Sequence, residues 1–322
     1  MKSFWKNKKV LVMGAGGFIG SHVVDVLVAE GAIVTAQVFV NGDKNKNLAQ
    51  SMHNIKIVKG DLTDLPFCLK IAHGQNILLN FAGMDGGTLF KKEHAAEILR
   101  INSLITLNAL EAARIHKLQR VLLVSSVVVY ANSTPQPIKE EYGYIQDPSD
   151  FVDGYTWSKK FLESAAKTYN TQYDLDVNVV RLGNVYGPRD PLAKGRVIPT
   201  FIKQALNNET MTILNGGTQR MAFLHVEDLA FFILKCVEKG PGSDPLNIGS
   251  DRYISIKELA EMIIKLTKSK SKLKNIKRSQ NFSSRVVDVS KSKKLLKVKE
   301  RKDIEQGLAE IVDDMRKTYC HR

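Results

Sequence analysis

A run of glycines lodged between an apolar segment and an amphipathic one constrains this chain more than any other feature. Residues 9–13 are strand-sized and apolar after the first position, Gly14-Ala15-Gly16-Gly17-Phe18-Ile19-Gly20 follows, and residues 21–30 place Val23, Val24, Leu27 and Val28 at helical spacing. Gly31 closes that helix and residues 33–40 resume as a second strand, so the segment reads as one βαβ unit. Gly14, Gly17 and Gly20 have G-x-x-G-x-x-G spacing, and Gly16 also satisfies G-x-G-x-x-G. A glycine triplet alone says little. Between a strand and a helix it lets the backbone bend sharply and approach a pyrophosphate, with the helix N-terminus facing the negative charge, and so points to a bound dinucleotide.

The same alternation continues. Residues 55–58, 77–81, 121–124 and 177–182 read as strands, apolar throughout rather than at every second position, and helices are expected over 93–116 and 155–169. Continuous apolar strands separated by helices mean a parallel sheet covered on both faces. In such sheets ligands bind beyond the carboxyl ends of the strands, where Gly14, Asp61, Ala82, Ser126 and Asn184 all fall. The expected fold class is therefore α/β, a Rossmann-type doubly wound parallel sheet over residues 1–188. Residues 189–322, punctuated by Pro191, Pro199, Gly216-Gly217, Pro241-Gly242 and Pro245, read mostly as a smaller C-terminal α/β substrate-binding region, with segments near 222–250 returning to the main domain.

Composition removes several alternatives. At 43% hydrophobic and 25% charged the chain is far from the polar mix of disorder. No apolar run approaches the roughly 20 residues of a membrane span, and the run after the basic residues 1–9 is too short for a signal peptide, so a cytoplasmic location with no membrane partner is expected. Cys68, Cys236 and Cys320 lie far apart, with no C-x-x-C pair and no histidine at ligand spacing, which indicates neither a disulfide framework nor a metal site. Much of the net charge of +14 sits in residues 268–278, a stretch without the interleaved aromatics that stack on bases. It reads as solvated surface, and no nucleic-acid partner is expected.

Tyr155-Thr156-Trp157-Ser158-Lys159 puts a phenol and an ammonium on one helix face at i and i+4. A lysine beside a phenol stabilises the phenolate and makes the tyrosine usable as an acid and base near neutral pH. By itself the pair is as easily a coincidence of spacing; Ser126 at the end of a strand supplies the third member, a hydroxyl to hydrogen-bond the reacting oxygen, with Ser125 competing for that role. At the end of the second strand, where an NAD site places an acid for the ribose hydroxyl, Gln37-Val38-Phe39-Val40-Asn41 stands instead, followed by Asp43, Lys44 and Lys46. The acid is absent or displaced, which leaves NAD or NADP undecided and tilts toward NADP.

The glycine turn, Gly60-Asp61-Leu62, Ser125-Ser126 with Val127 to Tyr130, Tyr155 to Lys159, Arg181 to Pro188 and His225 to Ala230 together resemble the extended short-chain dehydrogenase/reductases of the NAD-dependent epimerase/dehydratase family, which modify nucleotide sugars. Arg285 to Lys291 also resembles that family's C-terminal segment. The resemblance implies NAD(P) held by Gly14, Gly17, Phe18, Ile19, Gly20, Asp61, Leu62, Ala82 and Gly83, with Tyr155 as acid and base and Lys159 on the nicotinamide ribose. It further implies a nucleotide-diphosphate sugar as substrate, contacted by Ser126 and Asn184, with Arg285 and Arg220 on its phosphates, Arg220 standing one place off the family's usual position. A homodimer through helices 93–116 and 155–169 is implied too. Dehydratases of the family carry an Asp-Glu pair after the active-site hydroxyl and decarboxylases keep the Glu; here Val127 and Val128 stand there, and valine moves no proton. The relatives that epimerise at C3 and C5 use a Cys in the Ser-Ser segment, where this chain has valines, and a partner histidine or lysine later, and Arg189 stands where one branch of them has its histidine. What remains is hydride transfer at sugar C4, as a 4-epimerase first and a 4-ketoreductase second, with a non-catalytic dinucleotide-sensing or RNA-binding relative as a remote third.

Overall fold

The computed structural model describes residues 3–40, 44–143, 153–277 and 285–319. In chain order β1 (Lys9–Met13) leads through the glycine turn into α1 (Phe18–Ala29), followed by β2 (Ile33–Val38), β3 (Ile55–Lys59), α2 (Leu65–Ala72), β4 (Ile77–Asn80), α3 (Thr88–Glu93), α4 (Ala95–Ile115), β5 (Arg120–Ser126), α5 (Gly154–Tyr173) and β6 (Val177–Leu182). The second half runs β7 (Asn184–Tyr186), α6 (Val197–Leu206), β8 (Met211–Leu214), β9 (Arg220–His225), α7 (Val226–Lys239), β10 (Leu246–Ile248), β11 (Tyr253–Ser255), α8 (Ile256–Thr267), β12 (Leu273–Ile276), α9 (Ser290–Leu296) and α10 (Ile304–Tyr319).

The main sheet has the order β10-β6-β5-β4-β1-β2-β3, with every pairing parallel. Its strands are apolar throughout because both faces are covered. Val10 and Val12 of β1 join one core with α1 and α7, while Leu11 and Met13, pointing the other way, join a second with α2, α4 and α5. The winding reverses between β1 and β4, and a crevice opens at their carboxyl ends. A smaller three-stranded sheet, β11-β9-β7, and a parallel pair, β12-β8, share a third core with α6, α8 and α10.

The expected α/β class and the six expected strands are all present. The helix expected over 93–116 is α4, preceded by the short α3 that ends at Glu93, and α1 begins three residues before the expected Ser21. Neither α2, with Pro66 in its first turn, nor the edge strand β10 stood out in the sequence, because each is short. The lysine-rich stretch closes α8 at Lys268 and becomes β12, whose residues are mostly exposed; Arg278 and Cys320 lie outside the described residues. Cys68 and Cys236 are buried, and burial pushes both thiols up to about 12. Among the described residues no helix is long and apolar enough to cross a membrane.

Candidate active site

The carboxyl ends of the strands open into a cavity of about 1420 Å³, walled on its far side by β7, α6 and the segment joining them. At its floor the glycine turn is a backbone cradle. Gly14 has φ +72°, and a Cβ there would stand 2.6 Å from the Ala82 nitrogen; at Gly20 a Cβ would stand 2.4 Å from the Gly14 oxygen. The N-terminus of α1 starts at Gly17 with no side-chain cap and no acid in its first turn, so its N–H groups and dipole face the cavity. Both observations fit the pyrophosphate of a dinucleotide. Phe18, Ile19, Asp61, Leu62, Ala82 and Gly83, expected at this ligand, all line the cavity.

Gln37 does not serve the ribose. It is 2% exposed, its Oε1 accepting from the Gly14 N–H at 2.9 Å and its Nε2 donating to the Gly60 carbonyl at 2.8 Å, so it braces the turn from below. The cavity wall at the end of β2 is Val38 and Phe39, with Lys46 and Asn47 nearby; Asn41 and Asp43 lie outside the described residues. Asp61 accepts from the Thr63 N–H at 2.8 Å.

The groups expected to react, Ser126, Tyr155 and Lys159, lie on β5 and α5. Side chains alternate along a strand, so Ser125 and Ser126 part ways. Ser125 is buried and donates to Glu163 Oε1 at 2.5 Å, inside a network in which Arg181, fully buried, donates to both Glu163 oxygens. Both serines border the cavity, and Ser126 is the one that hydrogen-bonds the Tyr155 hydroxyl. Asp153 sets where α5 begins: its Oδ1 accepts from the Tyr155 and Thr156 N–H groups at 3.1 and 3.2 Å. Gly154 lets α5 press against the start of α4, since a Cβ there would fall 1.8 Å from the Ala95 carbonyl oxygen. Lys159, one turn on, donates to the Val124 carbonyl at 2.7 Å.

Burial pushes the Tyr155 phenol up, with Asp85 adding, while Arg196 and the Ser126 bond pull it down. The spacing led us to expect a lowered phenol beside Lys159; here burial outweighs the charges. Burial likewise pulls the Lys159 ammonium down to about 8, Lys91 and Lys194 adding and Asp85 and Glu163 opposing.

Several cleft residues escaped the sequence reading. Asn102 of α4 clamps the strand-end loop, accepting from the Met84 N–H at 2.7 Å and donating to the Met84 carbonyl at 3.1 Å. Lys91 sits 3.7 Å from the Tyr155 ring centroid and 3.0 Å from Asp85, which Lys194 and Arg196 approach at 3.4 and 3.7 Å. Arg196 also pairs with Asp190 at 2.7 Å; burial pushes that carboxyl up to about 6. Asp85 follows closely on Ala82 and Gly83, which were expected at the dinucleotide, but nothing local marks a helix-surface lysine at 91 as a cleft residue.

Of the residues expected at the substrate, Asn184 lines the cavity and donates to the Ala222 carbonyl at 3.2 Å. Arg220 does not line it. Gln219 and Met221 do, and Arg220, on the opposite face of the strand, is exposed and bonds the Tyr253 carbonyl. Arg285 is also off the cavity wall, donating to Val127 O at 3.1 Å and Asn132 Oδ1 at 2.6 Å. Val128 faces the cavity and Val127 does not. Arg189 donates to Asp25 of α1 at 2.8 Å.

The family model described as "NAD dependent epimerase/dehydratase family" matches residues 10–249. UDP-glucuronic acid decarboxylase 6 of Arabidopsis thaliana is 28% identical over 319 residues, covering 98% of this chain and 91% of that protein. A dTDP-4-dehydro-6-deoxy-D-allose reductase of a Streptomyces species is 31% identical over 299 residues, 91% of each. The solved UDP-N-acetylglucosamine 4-epimerase of Methanobrevibacter ruminantium, in complex with UDP-N-acetylmuramic acid, superposes with a TM-score of 0.84 at 27% identity, covering 97% of this chain and 99% of that one.

Proposed function

The chain belongs to the NAD-dependent epimerase/dehydratase family and is an NAD(P)-dependent enzyme that modifies nucleotide sugars, and on that premise we propose that it is a nucleotide-sugar 4-epimerase. The observation that carries the reading is the convergence of Ser126, Tyr155 and Lys159 in a cleft whose adjoining wall position, Val128, has no group able to move a second proton. Gly14, Gly17 and Gly20 would hold the dinucleotide, which when bound would supply the acceptor and donor of a hydride for sugar C4. Tyr155 removes the C4 hydroxyl proton as the carbonyl forms and restores it on reduction, Ser126 holds that oxygen, and the Lys159 charge offsets the phenolate. Inversion requires only that the keto-sugar present its other face before reduction, which a cavity of about 1420 Å³ has room for. The same reading assigns Asn184, which lines the cavity, to the diphosphate side of the ligand.

A second reading, an NADPH-dependent 4-ketoreductase, is favoured by the 31% identity to a reductase and by Val38 and Phe39, which among the described residues end β2 and offer no carboxylate to repel a 2′-phosphate. Purification without added nucleotide, followed by denaturation and identification of the released dinucleotide, separates the two. About one NAD per chain, with C4 epimers interconverting, supports the epimerase. No bound dinucleotide, with NADPH consumed on a 4-keto nucleotide sugar, replaces it with the reductase. Pairing of two copies through α4 and α5 belongs to the same proposal, supported by Leu99, Ile115, Phe161 and Tyr173 exposed on those helices; a monomer in light scattering removes it.

A further inference from the structure

One face of α1 is tied to a segment from the opposite wall of the cleft. Phe18, His22 and Asp25 succeed one another along that face, about one turn apart, and residues 188–196, between β7 and α6, meet all three. The Arg196 guanidinium lies 5.6 Å from the centre of the Phe18 ring, His22 Nε2 donates to the Pro188 carbonyl at 3.1 Å, and Arg189 donates to Asp25 at 2.8 Å. Arg189, Asp190 and Arg196 line the cavity together with Gly16 and Gly17. A dinucleotide on the glycine turn therefore has residues 188–196 as one of its walls.

A second wall comes from the segment between β2 and β3, where Asn47 donates to the Gly16 carbonyl at 3.0 Å and Ser51 to Asp25 at 2.6 Å. Arg189 joins the two walls, because beyond Asp25 it also reaches Gln50 Oε1 at 3.4 Å. Its backbone is left-handed, φ +66°, a conformation that a residue with a side chain keeps only where its contacts hold it. At the far end Gly195, φ +63°, has open space around it and leaves the segment free to turn there. We propose that Arg189, anchored on Asp25, is the residue that keeps the dinucleotide in place between turnovers. Residues 188–196 form a strap beside the glycine turn, and the dinucleotide leaves when Arg189 lets go of α1 and Gln50. This rests on a dinucleotide lying on the glycine turn, and not on the choice between epimerase and reductase.

Release is timed by stopped flow on protein loaded with NADH or NADPH, whichever it retains, as the change in nicotinamide fluorescence after mixing with excess oxidised dinucleotide. Arg189→Met is expected to speed release about tenfold, and Asp25→Asn, which leaves the strap's own sequence untouched, about threefold. Association should change less than about twofold in both, since a bridge that closes after entry acts on the way out. The double variant should release no faster than Arg189→Met, because both changes act on one bridge, and Arg189→Lys should recover part of the loss. A wild-type protein that takes up neither dinucleotide overturns the cofactor reading and the strap with it. With dinucleotide bound, release unchanged in either single variant overturns the strap alone. Slower release in Asp25→Asn does so too, since Arg189 freed from Asp25 would then be holding the phosphates directly.

Discussion

On the sheet wall of the cleft the groups proposed to react sit at the ends of hydrogen-bonded parallel strands or on a helix capped by Asp153, with continuous apolar cores beneath. On the facing wall the side chains ride on β7 and the short segment before α6, and charged pairs tie that segment across: Arg189 to Asp25 of α1, and Lys194 and Arg196 to Asp85. Ladders and packed cores hold atoms to fractions of an ångström, whereas partly exposed ion pairs are worth little and exchange partners readily. On the proposed reading the chemistry belongs to the rigid wall and the contact with the sugar to the adjustable one.

The largest effect that sharpens this contrast is on the rigid wall. Tyr155→Phe is expected to lower turnover by about 10²- to 10⁴-fold while the dinucleotide stays bound, since only the proton route is lost; turnover within a few-fold of wild type would remove Tyr155 from the chemistry. Next comes the brace beneath. Arg181→Met leaves Glu163 charged and buried with Ser125, at a cost of about 3–5 kcal/mol in urea denaturation; a loss under about 1 kcal/mol would mean that the network does not hold the wall.

The pH response has two opposite arms. Lys159 is buried and its folded value is about 8, below the ordinary 10.5, so turnover that needs its charge should fall about tenfold per pH unit beyond about 8. Over the same window the unfolded chain still holds a proton that the folded one has released, so the contribution of Lys159 to stability rises with pH up to about 10. Turnover rates and melting temperatures across pH 7–10 check both signs, and a parallel fall would contradict the assignment. The smallest effect is on the adjustable wall: Asp25→Asn, which releases Arg189, is expected to cost at most about 1 kcal/mol and to raise KM more than it lowers kcat.

Much of the fold was legible because its signals are local. The glycine turn, the continuously apolar strands and the i, i+4 spacing of Tyr155 and Lys159 need only neighbouring residues, and each is where it was expected. The two serines show the limit: sequence placed both at a strand end, and only the register of β5 against β6 and α5 sent Ser125 to Glu163 and Ser126 to Tyr155. Arg220 shows it again, a single position deciding between the cleft and solvent.

By itself, then, the sequence determined the parallel α/β sheet, the glycine turn at its strand ends and the placing of Tyr155 and Lys159 on one helix, since backbone conformation, helical spacing and strand burial are properties of short stretches. Only the tertiary structure decided which hydroxyl meets Tyr155, that Gln37 braces the turn instead of holding a ribose, and that Lys91, Lys194 and Arg196 gather at Asp85. Those choices join residues distant along the chain, and side-chain direction at each depends on register and packing that no local pattern encodes.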